Sequence, residues 1–199
     1  MDNLAVEPQE RTFRLTDLQR VYLIGRSKGL ALGGVSSHHY LEFEQAGLDV
    51  PRLETALNKV IARHDMLRAC VTSEGSHRVS AAVPPYRIAT VDLSGLPTAD
   101  RDAGIQRIRD ELCEQMLPPD RWPPFDIRAA LVDGGRVRLH VSMDLLLVDI
   151  RSLLIVLAEW RRFYDTPDWS PEPLELSFGD YLVLEEKDQR AEAQAAEYW

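Results

Sequence analysis

Apolar residues recur at helical spacing in four stretches of the chain. Leu18, Val21, Tyr22 and Gly25 mark one stripe, and Leu53, Ala56, Leu57, Val60, Ile61 and His64 a second. Ile105, Ile108, Leu112 and Met116 mark a third, and Leu153, Leu154, Leu157 and Trp160 a fourth, buried stripe. Each has a start signal. Thr16 with Gln19 three residues on reads as a capping box, Pro51 precedes the second helix, Thr98 caps the third, and Asp149 opens the fourth. Ser177, with Asp180 three residues later, opens a last helix running towards Trp199. Gly29, Gly33 and Gly34 break the chain after the first helix, and Pro118 and Pro119 end the third. Pro167, Pro171 and Pro173 form a linker before the last.

Alternation marks the strands. Over 37–44, His39, Leu41 and Phe43 face one way and His38, Tyr40, Glu42 and Glu44 the other. A strand near 67–72 turns at 73–76 into one near 77–83, and a short strand follows near 87–91. Over 125–143 two alternating runs flank Asp133-Gly134-Gly135, a hairpin turn signal. On the second arm Val137, Leu139, Val141 and Met143 share one face, and Arg138, His140, Ser142 and Asp144 the other. Hairpins mixed irregularly with helices predict an α+β fold, a mixed and mostly antiparallel sheet flanked by helices, rather than a doubly wound parallel sheet. Residues 1–12 are polar and read as a lead-in or docking remnant, so the folded unit is expected over 13–199.

Composition narrows the function. The 199 residues carry 23 Lys and Arg against 32 Asp and Glu, a formal net charge of −9. That balance argues against nucleic acid and anionic membranes as partners. At 45% hydrophobic the chain can build a sizeable core. Two cysteines, Cys70 and Cys113, are too few for a disulfide scaffold or a four-ligand zinc site. The N-terminus lacks the basic start and apolar run of a secretory signal, and Leu145–Val148 is far too short to span a bilayer. A cytoplasmic location is expected. No G-x-G-x-x-G or P-loop supports a nucleotide site.

The stretch that can carry chemistry is Asp144-Leu145-Leu146-Leu147-Val148-Asp149-Ile150-Arg151-Ser152. Two carboxylates flank four apolar residues at a strand-to-helix junction, an arrangement that can split a pair into acid and base roles. Taken alone, the pattern favours a helix cap with a structural ion pair over catalysis. His140 shares the strand face of Asp144, and a packing or hydrogen-bonding role is favoured for it. His38 and His39 read as ordinary strand residues and His64 as a satisfied core histidine. No nucleophile elbow supports a triad of His140, Asp144 and Ser152, and nothing reinforces a metal site built on Asp144, Asp149 and His140. Arg161 and Arg162 read as a solvated helix face, with contact to an acidic partner protein as the alternative.

Asp144-x-x-x-x-Asp149-x-x-Ser152 resembles the D-x-x-x-x-D-x-x-S motif of heterocyclization domains of nonribosomal peptide synthetases, which replaces the H-H-x-x-x-D-G of ordinary condensation domains. The segment from Phe13 to Arg26 is similar to that family's opening F-P-L-T-x-x-Q-x-A-Y-x-x-G-R. Arg63-His64-Asp65-Met66-Leu67-Arg68 resembles its R-H-x-M-L-R, and Trp122-Pro123-Pro124-Phe125-Asp126-Ile127-Arg128 its W-P-x-F-D-I-R.

The resemblance implies a chloramphenicol-acetyltransferase-like lobe, the N-terminal one of two, with an active tunnel between them. It implies joining of a carrier-bound acyl or peptidyl thioester to Cys, Ser or Thr, then loss of water to give a thiazoline or oxazoline. It implies a C-terminal lobe and donor and acceptor carrier proteins as partners. Phosphopantetheine belongs to those carriers, and no cofactor or metal is expected on this chain. Asp144 and Asp149 are the site residues it points to, with Ser152, Arg63, Arg68 and His140 in support. Asp144 stands at the first-His position, to orient the acceptor amine or to hold the loop. Asp149 is expected to be mainly architectural, pairing with Arg63 or Arg68. Leu145 stands where an ordinary condensation domain has its second His. The sequence ends where the first lobe of the family ends, so the chain alone is expected to have little or no activity. Two alternatives remain: a non-catalytic lobe that docks a complementary lobe or carrier protein, and an ordinary amide-forming condensation or acyltransferase lobe.

Overall fold

The computed structural model describes residues 10–198 except 30 and 32, and side chains as far as 188. Residues 1–9 of the polar lead-in read over 1–12 lie outside the described residues. Its end does not behave as a loose segment: β1 (Arg11–Arg14) pairs antiparallel with β4 (Ser76–Val79), which pairs with β3 (Ala69–Val71) in a three-stranded sheet of order β1-β4-β3. The main sheet has order β2-β7-β6-β5, from β2 (His38–Ala46), β7 (Arg136–Asp144), β6 (Phe125–Val132) and β5 (Ala89–Asp92). Only β5 and β6 run parallel, so the sheets are mixed and mostly antiparallel. The hairpin between β6 and β7 closes as its sequence predicts. Gly134 and Gly135 take φ of 74° and 64°, a left-handed backbone that glycine adopts at no steric cost.

Helices α2 (Val50–Arg63) and α4 (Ile150–Asp165) cover one face of the main sheet. Leu57, Val60, Val156 and Trp160 meet Phe125, Ile127, Val141 and Met143 there. The Trp160 indole N–H donates to the Leu53 carbonyl at 2.8 Å, which fixes the two helices to each other. On the opposite face α3 (Thr98–Glu114) packs Ile105, Ile108 and Leu112 on Ala130 and Val132. Gly104 lets α3 approach closely, since a Cβ there would lie 2.9 Å from Leu93 Cδ2. With both faces covered, the polar face of β7 is buried as well: His140, Ser142 and Asp144 are all inaccessible. Helix α5 (Phe178–Tyr198) opens with reciprocal Ser177–Asp180 hydrogen bonds and seats Phe178 against Phe13.

Several boundaries differ from the sequence pattern. Residues 65–68 form a 3₁₀ turn, which shortens the strand expected near 67–72. Pro97, not Thr98, sits at the N-cap of α3, and Met116 falls beyond its end. In α4 the buried stripe is Leu153, Val156, Trp160, Phe163 and Tyr164, while Leu154 is 60% exposed. In α1 (Asp17–Gly25) Leu18 and Val21 are 59% and 61% exposed, and the buried residue is Gln19. These helices carry apolar residues in excess of what this chain covers. Among the described residues no helix is long and apolar enough to cross a membrane.

Candidate functional site

The acidic loop after β7 is built by the opening segment of the chain. Thr16 and Gln19 form the expected capping box of α1. Gln19 then turns its Nε2 to the Leu146 carbonyl at 3.0 Å. Seven residues on, and so on the same helix face, Arg26 donates through Nη2 to Asp144 Oδ2. Asp144 also accepts from Ser36 Oγ at 3.1 Å and from the Leu146 amide at 2.9 Å. Its side chain is 4% exposed and that of Arg26 7%, so this is a buried ion pair; both carboxylate oxygens and both terminal guanidinium nitrogens are hydrogen-bonded, while Arg26 Nε has no partner among the described residues. Burial pulls the Arg26 pKa down. Leu15, Val71 and Leu146 pack together beneath the junction.

Asp149 goes elsewhere. It caps α4, accepting from the Ser152 amide at 2.7 Å, and it is exposed. The amide donors of Ser152, then the Ser152 side chain, hold its carboxyl below the ordinary aspartate value. The expected pairing of Asp149 with Arg63 or Arg68 does not occur. Arg63 binds Glu159 at 3.1 Å, and Arg68 binds Asp65 at 2.7 Å and the carbonyls of Ile61, Ala62 and Ser80. An exposed carboxylate at a helix N-terminus already has donors and needs no buried cation.

A groove of about 1120 Å³ opens beside this loop. Leu145, Asp149 and Ser152 line it, with Gln19 and Tyr22 of α1 facing them. It continues along one face of α4 past Val156 to Glu159, about 15 Å at helical rise. There His64 Nε2 meets Glu159 Oε2 at 2.8 Å, so His64 is satisfied as expected, though by a carboxylate at the groove wall. Asp144 is not among the residues that line the groove.

The structure separates the remaining candidates. His140 lies under α3, where its Nδ1 meets the Tyr40 hydroxyl at 2.8 Å. Tyr40 donates to Glu42, which Arg109 grips through Nε at 2.5 Å and Nη2 at 2.9 Å. The Arg109 hydrogen bonds, outweighing burial, bring Glu42 to about 2. Desolvation lowers the pKa of His140. This network fastens α3 to the sheet, and His140, Asp144 and Ser152 do not meet. Arg161 reaches Asp165 and Gln45, and Arg162 lies over the Trp169 ring, both on an exposed face. The sequence pattern gave Gln19 only its capping role and Arg26 none, although both stand in the opening segment that carries the resemblance. Their spacing of seven residues placed them on one face, and only the partner on β7 was hidden. A second link of this kind joins the other two segments: Trp122 Nε1 donates to the Leu67 carbonyl at 3.0 Å.

A mixed sheet between helical layers, with an acidic strand-to-helix loop at the edge of a groove, has the chloramphenicol-acetyltransferase-like architecture of condensation domains. The cyclization–docking bidomain of EpoB from Sorangium cellulosum shares it, with a TM-score of 0.85 and 35% identity over 94% of this chain and 38% of that one. The nonribosomal peptide synthetase FmoA3 follows at a TM-score of 0.74 and 30% identity, over 94% of this chain and 19% of that one. The chain belongs to the condensation-domain family, whose sequence profile matches residues 9–199. Pyochelin synthetase PchF of Pseudomonas aeruginosa is 36% identical over 182 residues, 91% of this chain and 10% of that protein. Phenyloxazoline synthase MbtB of Mycobacterium tuberculosis is 32% identical over 179 residues, 89% of this chain and 12% of that protein. The chain thus spans about a tenth of the length of these curated relatives.

Proposed function

We propose that residues 13–199 are the N-terminal lobe of a heterocyclization domain. In this reading the complete domain joins a carrier-bound acyl or peptidyl thioester to Cys, Ser or Thr on a second carrier, then cyclodehydrates the product to a thiazoline or oxazoline. The observation that carries it is the make-up of the loop at the groove. Asp144, Asp149 and Ser152 keep the heterocyclization spacing, and the side chain presented at the position of the missing imidazole is Leu145, which moves no proton. Asp144 serves here to hold the loop, through Arg26. Asp149, a carboxylate at the groove, orients the incoming amine. The names of relatives that form an oxazoline, or that are called cyclization domains, support the same reading.

The second lobe and both carrier proteins are the partners of this proposal, and the phosphopantetheine arms come with the carriers. Leu18, Val21 and Ile24 form an exposed apolar stripe on α1 that supports a seam with another lobe. The experiment uses the complete domain with a donor-loaded carrier and a Cys-, Ser- or Thr-loaded acceptor, followed by mass spectrometry. Product that has lost one water with at least one of the three acceptors is expected. Linear amide alone would replace this reading with ordinary condensation. The 199-residue chain by itself is expected to give little or no product, because one wall of a groove cannot hold two substrates in attack geometry.

A further inference from the structure

The polar side chains around the acidic loop are nearly all committed to holding it. Asp144 has three partners, Gln19 bridges Thr16 and Leu146, and Asp149 and Ser152 cap α4. Tyr22 differs. Its ring packs against the cluster of Leu15, Val71 and Leu146, directly under the loop, so the side chain has a fixed seat. It lines the groove with Leu145, Asp149 and Ser152, and its hydroxyl has no hydrogen-bond partner among the described residues. Tyr22 stands three residues from Gln19 on α1 and thus on the face that docks to the loop. A packed ring with an idle donor is what a site needs for charge that appears only during reaction.

We propose that the Tyr22 hydroxyl is the hydrogen-bond donor to the carbonyl oxygen of the donor thioester during amide formation. This rests on the reading that carrier-bound substrates react in this groove. In the step, the acceptor amine attacks the thioester carbon and forms the C–N bond, while the carbonyl electron pair moves onto oxygen. Tyr22 donates a hydrogen bond to that oxyanion and keeps its proton. The intermediate collapses, the C–S bond breaks, and the departing thiolate takes up the proton lost by the amine. The products are the amide and the free thiol of the carrier arm.

The test is Tyr22→Phe in the complete domain, which removes the hydroxyl and keeps the ring. Since the hydroxyl has no protein partner, the thermal midpoint is expected to stay at the wild-type value. The summed rate of linear and cyclised product is expected to fall about a hundredfold, the size of losing one oxyanion donor. The fall is expected in kcat, with KM for both carriers unchanged. Tyr22→Leu, which also keeps an apolar contact, should lose as much. A Phe variant that keeps the wild-type summed rate overturns the assignment, as does one whose loss is matched by a lowered melting temperature. Absence of the cyclised product in wild type, with linear amide still formed, defeats the heterocyclization reading but leaves this step to be scored on the amide. If wild type forms neither, both fall.

Discussion

Replacing Asp144 with Ala tests whether the first acid of the loop is a framework residue. The substitution leaves the Arg26 guanidinium buried without its carboxylate, with only the Ser36 hydroxyl and the Leu117 carbonyl still accepting from it. Breaking a buried pair from one side costs about 3–5 kcal/mol. The Leu146 amide also loses its acceptor, worth about 1–3 kcal/mol by itself. Losses of this size approach the whole stability of a small domain, roughly 5–15 kcal/mol. Arg26→Met alone strands the carboxylate and should cost a similar amount. In the double variant Arg26→Met with Asp144→Leu no charge is stranded, and the remaining defect is mainly the Leu146 amide. The double variant is therefore expected to be more stable than either single one, with a coupling energy of about 2–3 kcal/mol. Urea unfolding followed by tryptophan fluorescence measures all four proteins, since Trp160 and Trp122 are both held in the fold by indole hydrogen bonds. Additive single losses, or an Asp144→Ala protein within about 0.5 kcal/mol of wild type, would refute the reasoning and return Asp144 to the list of groups free to act on substrate.

Three more predictions follow from the same geometry. Asp149→Ala removes only an exposed cap, so it should cost about 1 kcal/mol in the same urea assay, well below the Asp144 variant. His77 is fully buried in β4, and desolvation lowers it to about 4. It stays neutral in the fold while the unfolded chain takes up a proton below about pH 6.5. Its contribution is therefore complete above pH 6.5 and is lost as pH falls towards 4, about 3 kcal/mol in all; His77→Phe should flatten that limb of a stability–pH curve, and an unchanged slope would count against it. Leu18→Glu, at a 59% exposed position, should leave the melting temperature of this chain unaltered yet weaken its co-elution with a separately expressed second lobe on size exclusion.

The helices and the central hairpin were legible in the sequence because their signals are local. The Thr16–Gln19 box, Leu53 to Ile61 at helical spacing, and Asp133-Gly134-Gly135 each act through neighbours along the chain. The errors came where burial depends on what another element covers. Leu154 and Leu18 are apolar and periodic yet exposed, since periodicity identifies a helix face but cannot say whether anything packs on it. The reverse holds for His140 and Asp144, polar residues buried because α3 and the Arg26 segment close over them. The spacing of Asp144 and Asp149 was equally plain, and so was their place at a strand-to-helix junction. The fate of Asp144 and of the loop after it depended on contacts across more than a hundred residues. Arg26 lies 118 positions from Asp144, and Gln19 lies 127 from Leu146. Sequence order thus determined that two acids flank four apolar residues before a helix. Tertiary packing decided that the first is buried on an arginine and the second faces the groove, because an ion pair between distant segments exists only once the sheet has brought them together.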